Sequence, residues 1–112
     1  MDNIVITLYK ITRNIKRLEA KRDYYLKPLK SETDSVNRLR ACIEQSNRMS
    51  SMCHPRFQQG VRLKNIEREN TIRFLEESIS ATRNKLDEIE RKLIELDKQK
   101  TKVRDAINRT LS

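Results

Sequence analysis

From Ile72 to Ile107, apolar residues recur in alternating steps of three and four: Ile72, Leu75, Ile79, Leu86, Ile89, Leu93, Leu96, Val103 and Ile107. Thr82 and Lys100 fill the remaining positions of the series. A 3.5-residue period sustained in this way predicts a helix with a coiled-coil seam, supercoiled to the left. A seam needs a partner, and the first half of the chain supplies one. Ile4, Leu8, Ile11, Ile15, Leu18, Tyr25, Leu29, Val36, Leu39 and Ile43 keep the same period, interrupted only at Arg22 and Glu32.

The two seams mirror each other. Ile4 stands opposite Ile107 and Leu39 opposite Ile72, with facing residue numbers adding to 111. An antiparallel hairpin produces this relation, although shifts of seven residues preserve the same phase. The expected fold is all-α: two long helices in an antiparallel coiled-coil hairpin, forming a single unit over 1–112. Helix one is expected at about 3–48, the turn at about 49–55 and helix two at about 55–110. At about 1.5 Å per residue, each helix is on the order of 70 to 80 Å long, giving a thin, monomeric rod.

Local signals agree. The stretch from Ser46 to Gly60 holds the Ser, Asn, Pro and Gly that a turn uses. His54-Pro55 biases His54 away from the helical region, and Pro55 suits the first position of a new helix. Pro28 lies within helix one without breaking the heptad phase. It removes one backbone donor and crowds the Tyr24 carbonyl, so a kink near Pro28 is expected rather than two helices. Arg22, Glu32 and Lys100 intrude on the seam. Either they set its register, as polar seam residues do, or a two-helix seam is shallow enough to tolerate their long stems.

Composition sharpens this picture. The chain has 112 residues, of which 37% are charged and 4% aromatic, with one glycine and two prolines. That balance belongs to long helices rather than to a globule with a large core. The formal net charge of +9 suggests an acidic partner, whether nucleic acid, anionic lipid or an acidic protein surface.

The cations concentrate where the two termini meet. Lys10, Arg13, Lys16, Arg17 and Lys21 on helix one face the part of helix two that holds Lys98, Lys102 and Arg104. Glu88, Glu90, Glu95, Asp97 and Asp105 are expected to answer some of this charge across the groove. The turn end differs: Met49, Met52, Cys53, Phe57, Val61 and Leu63 gather there, as a deformable docking surface or as a cap on the coiled coil.

Candidate chemistry is sparse. No apolar run reaches the length of a membrane span, and the opening MDNIVITLYKI lacks a basic region ahead of a long apolar stretch, so no secretory leader is expected. Cys42 and Cys53 make no disulfide framework. Cys53-His54 has too few neighbouring ligands for a closed zinc site. With no catalytic constellation and no pocket to exclude water, neither an enzyme nor a cofactor is expected.

A short, basic, antiparallel two-helix coiled coil without enzyme motifs resembles the FliJ/YscO family of flagellar and virulence-associated type III secretion systems. The most telling residues are Leu75, Glu76, Ile79, Arg83 and Leu86 in LEESISATRNKL, similar to the family's LExxIxxxRxxL stretch. LDKQKTKVRDAI, Leu96 to Ile107, resembles its Lys-rich C-terminal helix.

The resemblance implies a non-enzymatic stalk that links the export ATPase ring to the cytoplasmic domain of the export gate, with chaperones as further partners. Such a protein is cytoplasmic and peripheral at the inner-membrane base of the apparatus. By this analogy Lys10, Arg13, Lys16, Arg17, Lys21, Lys98, Lys102 and Arg104 contact the ATPase. Met49, Met52, Phe57, Val61, Thr71, Leu75, Ser78 and Thr82 face the gate or another partner. Leu75 fits the family's apolar gate stripe in kind, whereas Thr71, Ser78 and Thr82 are small and polar. Three rivals remain at the level of sequence. One is a small secretion chaperone; another is a basic coiled coil on nucleic acid, opposed by the interspersed acids and by the expected position of Tyr9, Tyr24 and Tyr25 near the seam. The third pairs two chains as a dimer in place of one hairpin.

Overall fold

The structure, a computed structural model, describes residues 2–111, with side chains from residue 3. Two helices account for nearly all of it: α1 (Asp2–Ser50) and α2 (Pro55–Leu111). No strand occurs among the described residues. The fold is an all-α helical hairpin.

Helix-favouring Glu, Lys, Arg and Leu are among the commonest residues of the chain. Threonine hydroxyls bond back to the preceding turn. The hydroxyls of Thr7, Thr33 and Thr101 donate to the carbonyls of Asn3, Leu29 and Asp97, four residues back, at 2.7 to 3.0 Å. Pro28 lies inside α1, which continues through it as one helix. Gly60 is a helical residue of α2, inside the span expected for helix two.

The turn is shorter than expected, with only residues 51–54 outside the helices. Polar side chains close it. Ser51 Oγ donates to the Arg48 carbonyl at 2.8 Å, and Cys53 Sγ to the Met49 carbonyl at 3.3 Å. Gln58 Nε2 reaches back to the carbonyls of Ser50 and Cys53, at 2.9 and 3.1 Å. The bonds to Arg48, Met49 and Ser50 satisfy carbonyls that the end of α1 leaves open, and the bond to Cys53 ties the turn to α2. At the start of α2, Pro55 takes the first helical position, and the Arg56 N–H donates to His54 Nδ1 at 3.2 Å. No residue of the turn needs a positive φ.

The hairpin comprises two compact units. One joins α1 up to Leu26 with α2 from Asn84; the other is Lys27–Arg83, which contains the turn. In the second unit Val36, Ile72 and Ile79 are buried, with Leu29, Leu39, Ile43 and Leu75 packed against them. In the first, Ile11 and Ile89 are buried. Both cores are shallow, as expected of a single stripe on each helix.

Every seam position read from the sequence is buried or half-buried, including Arg22, Glu32, Thr82 and Lys100. Three polar pairs across the hairpin fall within one residue of the mirrored numbering, while Arg68 to Ser46 and Arg40 to Glu76 reach further along the helices. Glu32 meets Ser78, Asn47 meets Asn65 and Arg22 meets Glu90.

Candidate interaction surfaces

A hairpin offers two kinds of surface: what the seam holds, and what the helices turn outward. The seam holds more polar chemistry than its apolar count implies. Continuing its phase from Ile43 and Ile72 towards the turn gives Ser46, Ser50, Gln58, Val61, Asn65 and Arg68, all buried or half-buried. Asn65 is buried at 7% exposure, and its Nδ2 donates to Asn47 Oδ1 at 3.0 Å. Arg68 donates to Ser46 Oγ at 3.0 Å and to Asn65 Oδ1 at 2.9 Å. Polar groups so placed fix the register of a seam, because a slip leaves each donor and acceptor without its partner.

Arg22 is half-buried and ion-paired to Glu90 at 3.3 Å across the hairpin. Glu32 accepts a hydrogen bond from Ser78 Oγ at 3.1 Å through Oε1, while its Oε2 is buried without a partner. Lys100 is half-buried.

The cation cluster lies in the first unit. Lys10, Arg13, Lys16, Arg17, Lys21, Lys98, Lys102 and Arg104 are all exposed. Among the described residues none of these eight forms an ion pair. Of the five acids expected to answer them across the groove, Glu90 alone pairs with α1, through Arg22. The other inter-helix pair, Arg40 with Glu76, belongs to the second unit. The basic surface is therefore largely unneutralised by the protein itself.

The expected partner-contact residues divide. Met49, Met52 and Phe57 are 63%, 90% and 68% exposed, so they do not cap the coiled coil. Thr71 is also exposed. Val61, Leu75 and Thr82 are half-buried in the seam phase, and Ser78 is half-buried beside it. Thr82 Oγ1 donates to the Ser78 carbonyl at 3.0 Å, and Leu75 packs on the Val36 cluster. Those four serve the hairpin rather than its outer surface.

The outward face of α2 in the second unit carries Leu63, Ile66 and Phe74, which are 62%, 50% and 71% exposed. With Asn70 between them they follow helical spacing, so they form one stripe. Sequence reasoning missed this stripe, although its signal was available: apolar residues out of phase with the seam they accompany.

Among the described residues no group of three or more His, Cys, Asp or Glu is placed to hold a metal. Cys42 and Cys53 are exposed free thiols. No helix is long and apolar enough to cross a membrane. No family model, no curated protein and no solved structure matches the chain.

Proposed function

We propose that this chain is a non-enzymatic coupling stalk of a type III protein secretion system, joining the export ATPase ring to the cytoplasmic domain of the export gate. One observation carries the reading. A single pair of helices bears both a group of eight exposed cations without ion pairs, in the first unit, and an exposed apolar stripe of Leu63, Ile66 and Phe74, in the second. A protein that couples two partners needs two such surfaces and a fixed register between the helices that carry them.

In this reading Lys10, Arg13, Lys16, Arg17, Lys21, Lys98, Lys102 and Arg104 meet acidic loops of the ATPase ring. Exposed charges of this kind steer association and set specificity more than they add affinity. Met49, Met52 and Phe57, together with Leu63, Ile66 and Phe74, meet the gate. The similarity of LEESISATRNKL and LDKQKTKVRDAI to FliJ/YscO sequences supports the assignment, as does the hairpin architecture.

The test is binding of the purified chain to the ATPase and to the gate's cytoplasmic domain from a type III system of the same source. The expected result is ATPase binding lost on R13E/R17E and gate binding lost on L63S/F74S, each variant keeping the other partner. Binding to neither protein contradicts the proposal. The exposed Leu63–Phe74 stripe also suits a secretion chaperone that holds a partner's helix. Retention of an export substrate, and not of the gate, identifies that second reading.

A further inference from the structure

The outward face of α1 in the first unit carries a second stripe. Ile6, Tyr9, Arg13, Arg17, Ala20 and Tyr24 follow one another at steps of three and four, parallel to the seam and on the opposite side of the helix. All six are exposed, with Ile6 at 50%, Tyr9 at 67% and Tyr24 at 74%. Lys10, Lys16 and Lys21 flank them.

Of the acids of this segment, Glu19 falls on the flank nearer the seam, whereas Asp23, one heptad on from Lys16 and two from Tyr9, borders the outward face. Arg22 draws Asp23 to 3.9 Å. The outward face thus carries five cations, two tyrosines and an isoleucine, with Asp23 at its edge and paired to Arg22. Tyr24 stands edge-on to Tyr25 with 5.6 Å between ring centroids, and Lys85 Nζ lies 5.5 Å from the Tyr25 centroid. Its ring is supported from beneath while its outer side stays open.

We infer that this face binds the surface of an anionic lipid bilayer, peripherally and without insertion of the helix. Clustered Lys and Arg are drawn to anionic headgroups, and tyrosine is the side chain that settles at a headgroup boundary. Geometry favours a bilayer over nucleic acid. The stripe runs about 27 Å along the helix, at about 1.5 Å per residue. A flat sheet of headgroups meets the whole length at once, whereas the phosphates of a duplex wind away from a helix laid against them. Ile6 has no role on phosphates, but it does have one at an acyl boundary.

The inference goes beyond the secretion reading and shares the α1 cations with it, so lipid and ATPase ring are alternative occupants of one face. A vesicle assay contains no secretion component. Its failure leaves the stalk proposal standing, and the converse also holds.

The experiment is co-flotation of the purified full chain with phosphatidylcholine vesicles, with and without phosphatidylserine. Binding is expected only where phosphatidylserine is present. Each cation lost weakens partitioning about fivefold, so R13E/R17E should reduce it by about 25-fold or more. Y9S/Y24S should reduce it several-fold, and R62E/R73E, with the same change in net charge, should change it little. Every one of these side chains is exposed, so circular dichroism at 222 nm should report an unchanged fold.

Equal binding to neutral vesicles, no binding to either, or equal loss from both charge reversals overturns the inference. So does displacement from vesicles by random duplex DNA that binds the Y9S/Y24S variant as tightly as the parent. That result would make the face a nucleic-acid surface.

Discussion

Glu32 is the residue whose position the seam explains least well. It occupies a core-facing phase beside Leu29 and Val36, yet one carboxylate oxygen is buried without a partner. Ser78 satisfies only the other. An unmatched buried acceptor destabilises by about 1–3 kcal/mol, and an apolar residue of similar size removes that penalty. Glu32→Leu is therefore expected to raise the urea midpoint, equivalent to about 1–2 kcal/mol. A lowered midpoint would mean that the Ser78 bond outweighs the desolvation it accompanies.

The same logic marks the limit of what the sequence disclosed. The apolar series stops at Ile43 on α1 and at Ile72 on α2, where the phase passes to Ser46, Asn65 and Arg68. Burial of such residues leaves no hydropathy signal, so their pairing across the hairpin emerged only with coordinates. By sequence Leu75 and Thr82 fit both the seam and the partner-contact set. The seam claimed them, because a side chain half-buried against α1 is not free for a gate.

At the scale of the element, Pro28 is the outlier. α1 runs through it without interruption, so tertiary packing on either side, from Tyr25 and Leu29, overrides a local preference against helix. The helix loses one backbone bond at Tyr24 and bears a steric clash, a burden of about 3 kcal/mol in a helix interior. Pro28→Ala should raise the thermal midpoint followed at 222 nm, by a stabilisation of about 1–3 kcal/mol. An unchanged or lowered midpoint would show that the residue fills a shape alanine cannot.

Both helices were legible because period and breaker residues agree over their whole length. The turn was less so: its expected span of about 49–55 narrows to 51–54, with serine, cysteine and glutamine side chains closing the carbonyls. The outward Leu63–Phe74 stripe was hidden for another reason. A search for one periodic face assigns every leucine, isoleucine and phenylalanine to it, or else overlooks those out of phase.

For the whole molecule, charge and pairing are the two quantities that matter. A net charge of +9, with few inter-helix ion pairs to offset it, sets the protein against itself at low ionic strength. Raising sodium chloride from about 20 mM to about 300 mM shortens the screening length from roughly 20 Å to roughly 6 Å. The melting temperature should rise by a few degrees. A fall would mean that attractive pairs dominate over the excess of cations.

The central claim is that α1 and α2 of one chain pair in the register that sets Leu39 opposite Ile72. Disulfide trapping tests it most directly. Cys42 and Cys53 are exposed, so they can be replaced by serine, and Leu39→Cys with Ile72→Cys then introduced. Gentle oxidation is expected to give a monomeric, cross-linked chain with rapid electrophoretic migration. The control pair Leu39→Cys with Ile79→Cys, one heptad away, should cross-link poorly. Disulfide-linked dimers from the first pair, or preferential closure of the second, would contradict the account.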